Sequence, residues 1–271
     1  MGQLLYLKLG GSLITDKTGV ESVRGDVLTR LAREVAAALA QNPEIRLVLG
    51  HGSGSFGHVA GAEHGTRQGV YTAEEWLGFA RVSDAASRLN RIVVKELLDA
   101  GVAAVSLQPS ASAICHDGQI ISLAHEPVRQ ALDAGIVPVV FGDVAFDTVR
   151  NGTIISTEEV LMYLATKMRP AWFLLAGETA GVLDEGGQVI PLITAENYDQ
   201  VAASIGGSRG TDVTGGMAGK VRLMLDMVEE NPASRVRIFS SLEAQNLTQV
   251  LLSPDARLGT ELASPSPQSS S

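Results

Sequence analysis

Short apolar segments that end in glycine alternate along this chain with longer segments of helical periodicity. The apolar runs 4–9, 45–49, 136–141 and 172–176 are each followed directly by a glycine. Strands that alternate with helices form a mostly parallel sheet covered on both faces, because each connection crosses over one face. The carboxyl ends of parallel strands lie at one edge, where ligands bind in such folds. The sequence therefore predicts an α/β protein, a three-layer αβα sandwich whose glycine turns meet at one edge.

Helices are predicted from apolar spacing and from start signals. Thr72 and Ser156 are each followed three residues later by glutamate, which is the spacing of a capping box, and helices are expected to run from them to about 99 and 168. The remaining predictions are helices at 27–39, 124–134, 217–228 and 242–251 and strands at 102–107 and 236–239.

Length, charge and cysteine content limit the possible partners. A chain of 271 residues suits one large domain or two joined lobes. The net charge of −9 argues against nucleic acid as a partner, since phosphate backbones need a basic surface. The single cysteine, Cys115, cannot form an intramolecular disulfide. No apolar run reaches the roughly 18 residues of a membrane span, and no secretory signal precedes the first strand, so we expect a cytoplasmic protein. The segment 263–271 is rich in serine and proline and is predicted to be disordered.

The first glycine turn has the composition of a phosphate-binding loop. Lys8 is followed by Gly10, Gly11 and Ser12, which bring a positive charge and bare amides to a strand end. Lys17 follows in the same segment. A tight turn with solvated surface lysines explains the same residues, so this turn alone predicts no function.

The second glycine turn is denser in glycine and ends in a histidine. Its candidate residues are Ser53, Gly54, Gly57 and His58. Several amides there have little side-chain obstruction, and the histidine can donate a hydrogen bond to an anionic oxygen. A flexible turn with an ordinary histidine is the alternative, but the glycine density directly after a strand favours a ligand.

A carboxylate and a further lysine follow later in the chain. Asp143 comes just after a buried apolar run, where it can position lysines or a metal, or merely cap a turn. Thr214, Gly215 and Gly216 precede a predicted helix whose first amides favour anions, and Lys220 lies near the start of that helix. An ordinary helix start with a surface lysine is the alternative.

Together these motifs resemble the amino acid kinase family over almost the whole chain, 4–262. The segments that carry the resemblance are 8–12, 52–54, 142–143 and 212–217 with Lys220. The resemblance implies an ATP-dependent kinase, a homodimer, an acceptor-binding lobe at 1–165 and an ATP-binding lobe at 166–262. The residues it assigns to ATP are Lys8, Gly10, Gly11, Ser12, Gly54, Gly177, Gly181, Thr214, Gly215, Gly216 and Lys220.

Within that family the isopentenyl phosphate kinases are most similar, on the segments 12–17, 55–58 and 105–110. This likeness implies that His58 holds the phosphate of the acceptor, and that the product is isopentenyl diphosphate. The chain departs from its relatives at 177–182, where Gly-Glu-Thr-Ala-Gly-Val replaces the Thr-Asp-x-Asp-Gly-Val that they often have. It also has Ser53 where the group commonly has glycine.

The expected mechanism brings positive charge around a transferred phosphoryl group. Lys8 and Lys220 would bracket that group, Lys17 would assist, and Asp143 would orient the two bracketing lysines through ion pairs. We expect Mg²⁺ to be carried by the nucleotide phosphates, since it prefers phosphate and water ligands, and we expect no metal site built by the protein.

The apolar tail of the acceptor needs an apolar pocket. Trp76 and Phe79 share one face of the helix that follows Thr72 and are candidates for it, with core packing as the alternative. Two other functions stay open: a related kinase that acts on a phosphonate such as fosfomycin or on a carboxylate, and a non-catalytic nucleotide-binding sensor.

Overall fold

A computed structural model describes residues 2–16, 18–57, 65–205 and 216–265. Within these ranges the elements follow in this order: β1 (Leu4–Leu9), α1 (Gly11–Ile14), α2 (Gly25–Gln41), β2 (Arg46–His51), α3 (Ala73–Asp99), β3 (Ala104–Ser106), a 3-10 helix (Pro109–Ala111), β4 (Ile114–His116), β5 (Gln119–Ser122), α4 (Glu126–Asp133), β6 (Val137–Phe141), β7 (Asp143–Asp147), β8 (Asn151–Ile155), α5 (Thr157–Met168), β9 (Trp172–Gly177), β10 (Leu192–Ile193), α6 (Tyr198–Ile205), α7 (Gly216–Glu230), β11 (Arg235–Ser240), α8 (Asn246–Leu252) and β12 (Thr260–Leu262).

The main sheet has the strand order β10-β12-β11-β9-β1-β2-β6-β3 in the described part of the chain. Its pairs are parallel except for β11 with β12. Strand β1 lies near the centre, between β2 and β9. The prediction of a mostly parallel sheet is confirmed.

Side chains of β1 alternate between two apolar layers, as the pleat of a strand requires. Leu5, Leu7 and Leu9 pack with buried residues of α2, α3 and α8. Tyr6 faces the other layer, where α4, α5, α6 and α7 contribute the apolar side chains. The predicted three-layer sandwich is therefore confirmed.

A second, smaller sheet with the order β5-β4-β7-β8 was not predicted. Its strands are three to five residues long, too short for a clear pattern. The turns at its end are held by Asp147, whose carboxylate accepts hydrogen bonds from the amides of Asp117, Gly118, Val149 and Arg150. Asp143, which follows the apolar run of β6 in the sequence, is the first residue of β7.

The predicted helix starts at Thr72 and Ser156 are confirmed, each with a complete capping box. The last helix begins at Asn246 rather than at 242. Arg30 of α2 donates hydrogen bonds to the carbonyls of Ser241 and Leu242, and these bonds hold that segment outside a helix. Strands β10 and β12 were not predicted, because two and three residues give little pattern.

The first two residues after β12 form hydrogen bonds with the rest of the fold. The amide of Ala263 donates to Ile193 and the hydroxyl of Ser264 donates to Val228. The prediction of a disordered tail at 263–271 is therefore wrong for these two residues; residues 266–271 lie outside the described residues. Of the helices that are described, none combines the length and the apolar character needed to cross a membrane.

Candidate active site

Lys8 forms an ion pair with Glu158 at the carboxyl edge of the main sheet. Lys8 is the fifth residue of β1 and is paired in register with Gly50 of β2 and Leu175 of β9. Glu158 is the second residue of α5. Their side chains are only 13% and 15% exposed, so little water screens their attraction.

The start of α5 is fixed against the ends of two strands. The hydroxyl of Thr157 donates to the carbonyl of His51 at 2.7 Å and accepts from the amide of Gly142 at 2.9 Å. A side chain at Gly50 would lie 2.7 Å from Thr157, so glycine there allows the first turn of α5 to approach β2. This packing brings Glu158 next to Lys8.

Lys220 of α7 is close enough to Glu158 to affect its ionisation. Burial by itself raises the pKa of Glu158, but the charge and hydrogen bond of Lys8, with a smaller contribution from Lys220, hold that pKa below its ordinary value. The carboxylate is therefore ionised at neutral pH, and two of the sequence-predicted lysines lie near it.

The two glycine turns press against each other at the same edge. A side chain at Gly11 would overlap the backbone nitrogen of Gly54, and one at Gly52 would lie 2.7 Å from the nitrogen of Gly11. Thr15 joins the turns, because its hydroxyl donates to the carbonyl of Gly11 and accepts from the amide of Ser55. The glycines are thus required by backbone packing, a reason that the sequence did not reveal.

The amides of the first turn are not equally free to bind a ligand. Gly10 donates its N–H to the carbonyl of Ala176 at 2.8 Å, so the expectation that this amide faces a phosphate is wrong. Gly11 and Ser12 are the first two residues of α1, and their amides have no partner within that helix. Gly54 has a φ of +48°, a conformation that favours glycine.

Two predicted nucleotide-binding glycines differ in their surroundings. Gly177 ends β9 beside Ser240 of β11, and among the described residues, its chain neighbours apart, no atom lies within 4 Å of where its side chain would be. Gly181, in contrast, packs against Thr260, whose hydroxyl would lie 2.7 Å from an added side chain. The space at the carboxyl edge therefore opens at Gly177.

Asp143 does not orient the lysines, which corrects the sequence-based expectation. Its buried carboxylate accepts hydrogen bonds from the hydroxyl of Ser83, the amide group of Gln108 and the backbone amides of Ser110 and Val144. The residue joins α3 to the loop before the 3-10 helix. Glu158 takes the position beside Lys8 that was expected for Asp143.

The aromatic residues of α3 form a cluster on the second sheet. Phe79 is buried with Val82 and Val144. Its ring centroid lies 5.2 Å from that of Trp76 and 5.4 Å from that of Phe146. Trp76 and Phe146 are 37% and 51% exposed. Phe79 is thus a core residue, while Trp76 and Phe146 line an open apolar surface beside it.

His51, at the end of β2, is buried and uncharged. Burial lowers its pKa to about 4, and the nearby charge of Lys8 adds to that effect. Its ring stacks on Phe141 and its Nε2 lies 3.2 Å from the side-chain nitrogen of Asn90. We assign it a structural role.

Four predicted site residues lie outside the described residues: Lys17, His58, Thr214 and Gly215. Of the neighbouring candidates, Ser53 and Gly57 lie in the second glycine turn, where the carbonyl of Ser53 accepts from the amide of Gly57. Gly216 is the first residue of α7. Among the residues that the structure describes, no three His, Cys, Asp or Glu side chains are grouped to hold a metal ion.

Glu158 is the site residue that sequence reasoning missed. The available signal was an acidic residue in a capping box at 156–159, which was interpreted only as a helix start. Two lysines that both act on one buried carboxylate, together with the first amides of α1, which have no partner within that helix, can bind and stabilise a transferring phosphoryl group.

Comparison with known proteins agrees with this geometry. A profile of the amino acid kinase family matches residues 4–240. The isopentenyl phosphate kinase of Haloferax volcanii is 42% identical over 225 residues, which cover 82% of this chain and 87% of that protein. The isopentenyl phosphate kinase of Methanocaldococcus jannaschii is 33% identical over 258 residues, which cover 92% of this chain and 95% of that protein.

The fold is shared as well. An X-ray structure of an isopentenyl phosphate kinase superposes with a TM-score of 0.81 at 28% identity, and the match covers 96% of this chain and 100% of that one. Sequence and fold therefore agree over both halves of the main sheet, and this chain belongs to the amino acid kinase family.

Proposed function

We propose that this protein transfers the γ-phosphoryl group of ATP to isopentenyl phosphate, giving isopentenyl diphosphate and ADP. The observation that carries the proposal is the placement of Lys8 and Lys220 near Glu158, next to two glycine turns at the carboxyl edge of the sheet. The relatives of that name, at 42% and 33% identity, support this choice of acceptor.

The main obstacle to this reaction is the repulsion between two phosphate groups. Lys8 and Lys220 supply positive charge where negative charge spreads over the transferring group. Glu158 fixes Lys8 in place through their ion pair. The acceptor phosphate is already nucleophilic at neutral pH, so the reaction needs no general base.

The acceptor binds, in this proposal, between the second glycine turn and the aromatic cluster. Ser53 and Gly54 offer backbone amides to its phosphate, with His58 and Lys17 as further ligands. The exposed faces of Trp76 and Phe146 suit a short apolar tail, because they are apolar and open beside the buried Phe79.

The nucleotide binds on the other half of the sheet, over the open space at Gly177. Lys8, Lys220 and the first amides of α1 and α7 face its phosphates. This division corresponds to an acceptor lobe at 1–165 and a nucleotide lobe at 166–262. Mg²⁺ is expected to travel with the ATP phosphates, which supply the oxygen ligands it prefers. A homodimer in the cytoplasm stays a prediction, which sedimentation and cell fractionation would test.

A panel of acceptors with coupled detection of ADP tests the proposal. The panel contains isopentenyl phosphate, dimethylallyl phosphate, fosfomycin, glutamate and UMP. We expect the highest kcat/KM with isopentenyl phosphate and a loss of at least about 100-fold in Lys8→Met and Lys220→Met. A preference for fosfomycin or glutamate contradicts the proposed acceptor, and ATP binding without ADP release from any acceptor supports the sensor function instead.

A further inference from the structure

Arg24 links the two halves of the candidate active site. One nitrogen of its guanidinium donates to the carbonyl of Ser12 at 3.2 Å and to the carboxylate of Glu178 at 2.7 Å. Ser12 belongs to the first glycine turn, whereas Glu178 follows β9 in the other half of the sheet. The side chains of Arg24 and Glu178 are 33% and 35% exposed, so the ion pair is partly screened by water.

The Arg24 end of this link is anchored to the first glycine turn through the backbone. The amide of Arg24 donates to the carbonyl of Ile14 at 2.9 Å, and Val23 forms a β-bridge with Thr15. Arg24 is also the residue before α2. If the turn at 10–14 moves, the backbone of Arg24 and its guanidinium group therefore move with it.

The Glu178 end is anchored to the strands that border the open space at Gly177. The hydroxyl of Ser240 donates to the carbonyl of Glu178 at 3.2 Å, and the amide of Ser241 donates to the carbonyl of Gly177 at 3.0 Å. The backbone of Glu178 is thus tied to the end of β11, while its carboxylate crosses to Arg24.

We propose that Arg24 and Glu178 are positioning residues that couple the binding of nucleotide to the binding of the phosphorylated acceptor. This inference rests on the proposed function. A nucleotide at Gly177 fixes the backbone that carries Glu178, and an acceptor phosphate at the glycine turns fixes the backbone that carries Arg24. Either ligand therefore orders part of the site that the other ligand needs, which is the physical basis of positive coupling.

Exposed ion pairs contribute little to stability, so the pair should affect coupling more than folding. The test is calorimetric titration with a non-hydrolysable ATP analogue, with and without saturating isopentenyl phosphate. In the wild type we expect the acceptor to tighten binding of the analogue by about 5-fold or more. In Arg24→Met and Glu178→Gln we expect that factor to fall below about 2-fold, while each ligand alone binds within about 3-fold of wild type.

The double variant should be no worse than either single variant, because both changes remove the same interaction. Arg46→Met is the matched control: it breaks a long-range ion pair with Asp133 at the amino-terminal edge of the sheet, and it should keep the wild-type coupling.

Two results would overturn the inference: an active wild type without coupling, or variants that keep the wild-type coupling factor, whether or not their ligand affinities and melting temperature fall. A wild type that turns over only another acceptor contradicts the proposed function. The same calorimetric titrations of wild type and variants are then made with that acceptor. Full coupling in the variants of an enzyme active on isopentenyl phosphate contradicts the Arg24–Glu178 inference alone.

Discussion

Replacement of Glu158 by glutamine keeps the shape of the side chain but removes the negative charge that faces Lys8. Loss of one partner from a fully buried ion pair costs about 3–5 kcal/mol, because the other charge is left uncompensated. Here the two side chains retain 13% and 15% exposure, and the glutamine oxygen can still accept a hydrogen bond. We therefore expect the free energy of unfolding at pH 7 to fall by about 2–3 kcal/mol.

Activity should fall further than stability. Lys8 loses the group that fixes it, because the ion pair with Glu158 is removed. Because both lysines act on charge that develops in the transition state, we expect kcat to drop by about 100-fold with a small change in KM for ATP.

The pH dependence has a defined sign. The pKa of Glu158 in the folded protein lies below its ordinary value of 4.5. The carboxylate therefore stabilises the fold fully above pH 4.5, and this contribution is lost as the pH falls through the lower folded-state value. The difference between wild type and Glu158→Gln should be complete at pH 7 and should shrink below pH 4.5.

Urea denaturation followed by circular dichroism, from pH 7 to pH 3, together with coupled ADP release, measures these effects. Glu159→Gln is the control, since its ion pair with Arg67 is more exposed and a glutamine preserves the capping box. The control should lose no more than about 1 kcal/mol. The reasoning fails if Glu158→Gln unfolds within about 0.5 kcal/mol of the wild type and keeps more than half of its kcat.

Substitution or labelling at four further positions should change stability, activity or reactivity in a defined direction. Gly11→Ala should lose at least about 2 kcal/mol of stability in urea denaturation, together with its activity, because the added carbon overlaps the neighbouring turn. Gly177→Ala should unfold within about 0.5 kcal/mol of the wild type, since no atom in the described part of the chain, its chain neighbours apart, lies within 4 Å of the added carbon, yet its KM for ATP should rise in steady-state assays. The pKa of His51 is lowered to about 4 by burial. As the pH falls, the histidine is therefore protonated in the unfolded chain at a higher pH than in the folded protein, which favours unfolding. Wild type should therefore lose up to about 3 kcal/mol as the pH falls from 6.5 to 4, and His51→Gln should lack this loss. Burial raises the pKa of the Cys115 thiol to about 11, so iodoacetamide at pH 8 should label the urea-unfolded protein and spare the native one.

The main sheet and its functional edge could be predicted because both follow from local sequence. β1, β2, β6 and β9 each contain a short apolar run that is followed by a glycine, and Lys8 lies two residues before Gly10. The role of Glu158 could not be predicted in this way. Acidic residues are common in the first turn of any helix, and only the contact between β1 and α5, 150 residues apart in sequence, distinguishes this one.

Asp143 was a wrong prediction for a related reason. A carboxylate after a buried strand suggests a ligand, but the chain continues directly into β7, and Ser83 and Gln108 occupy its oxygens. Those partners come from α3 and from the segment after β3, distant in sequence. Partners that are set by tertiary contact leave no trace in local composition.

The central position of β1 has a consequence for how the chain is made. β1 can pair with β2 once residue 51 has emerged from the ribosome, but its other neighbour, β9, begins only at Trp172. Over that interval a strongly apolar strand leaves the ribosome with one side unpaired, and such strands are templates for association with the wrong chain. Nascent chains that stall before Trp172 should therefore depend on chaperones to cover β1, whereas in chains that pass β9 this strand can be paired on both sides.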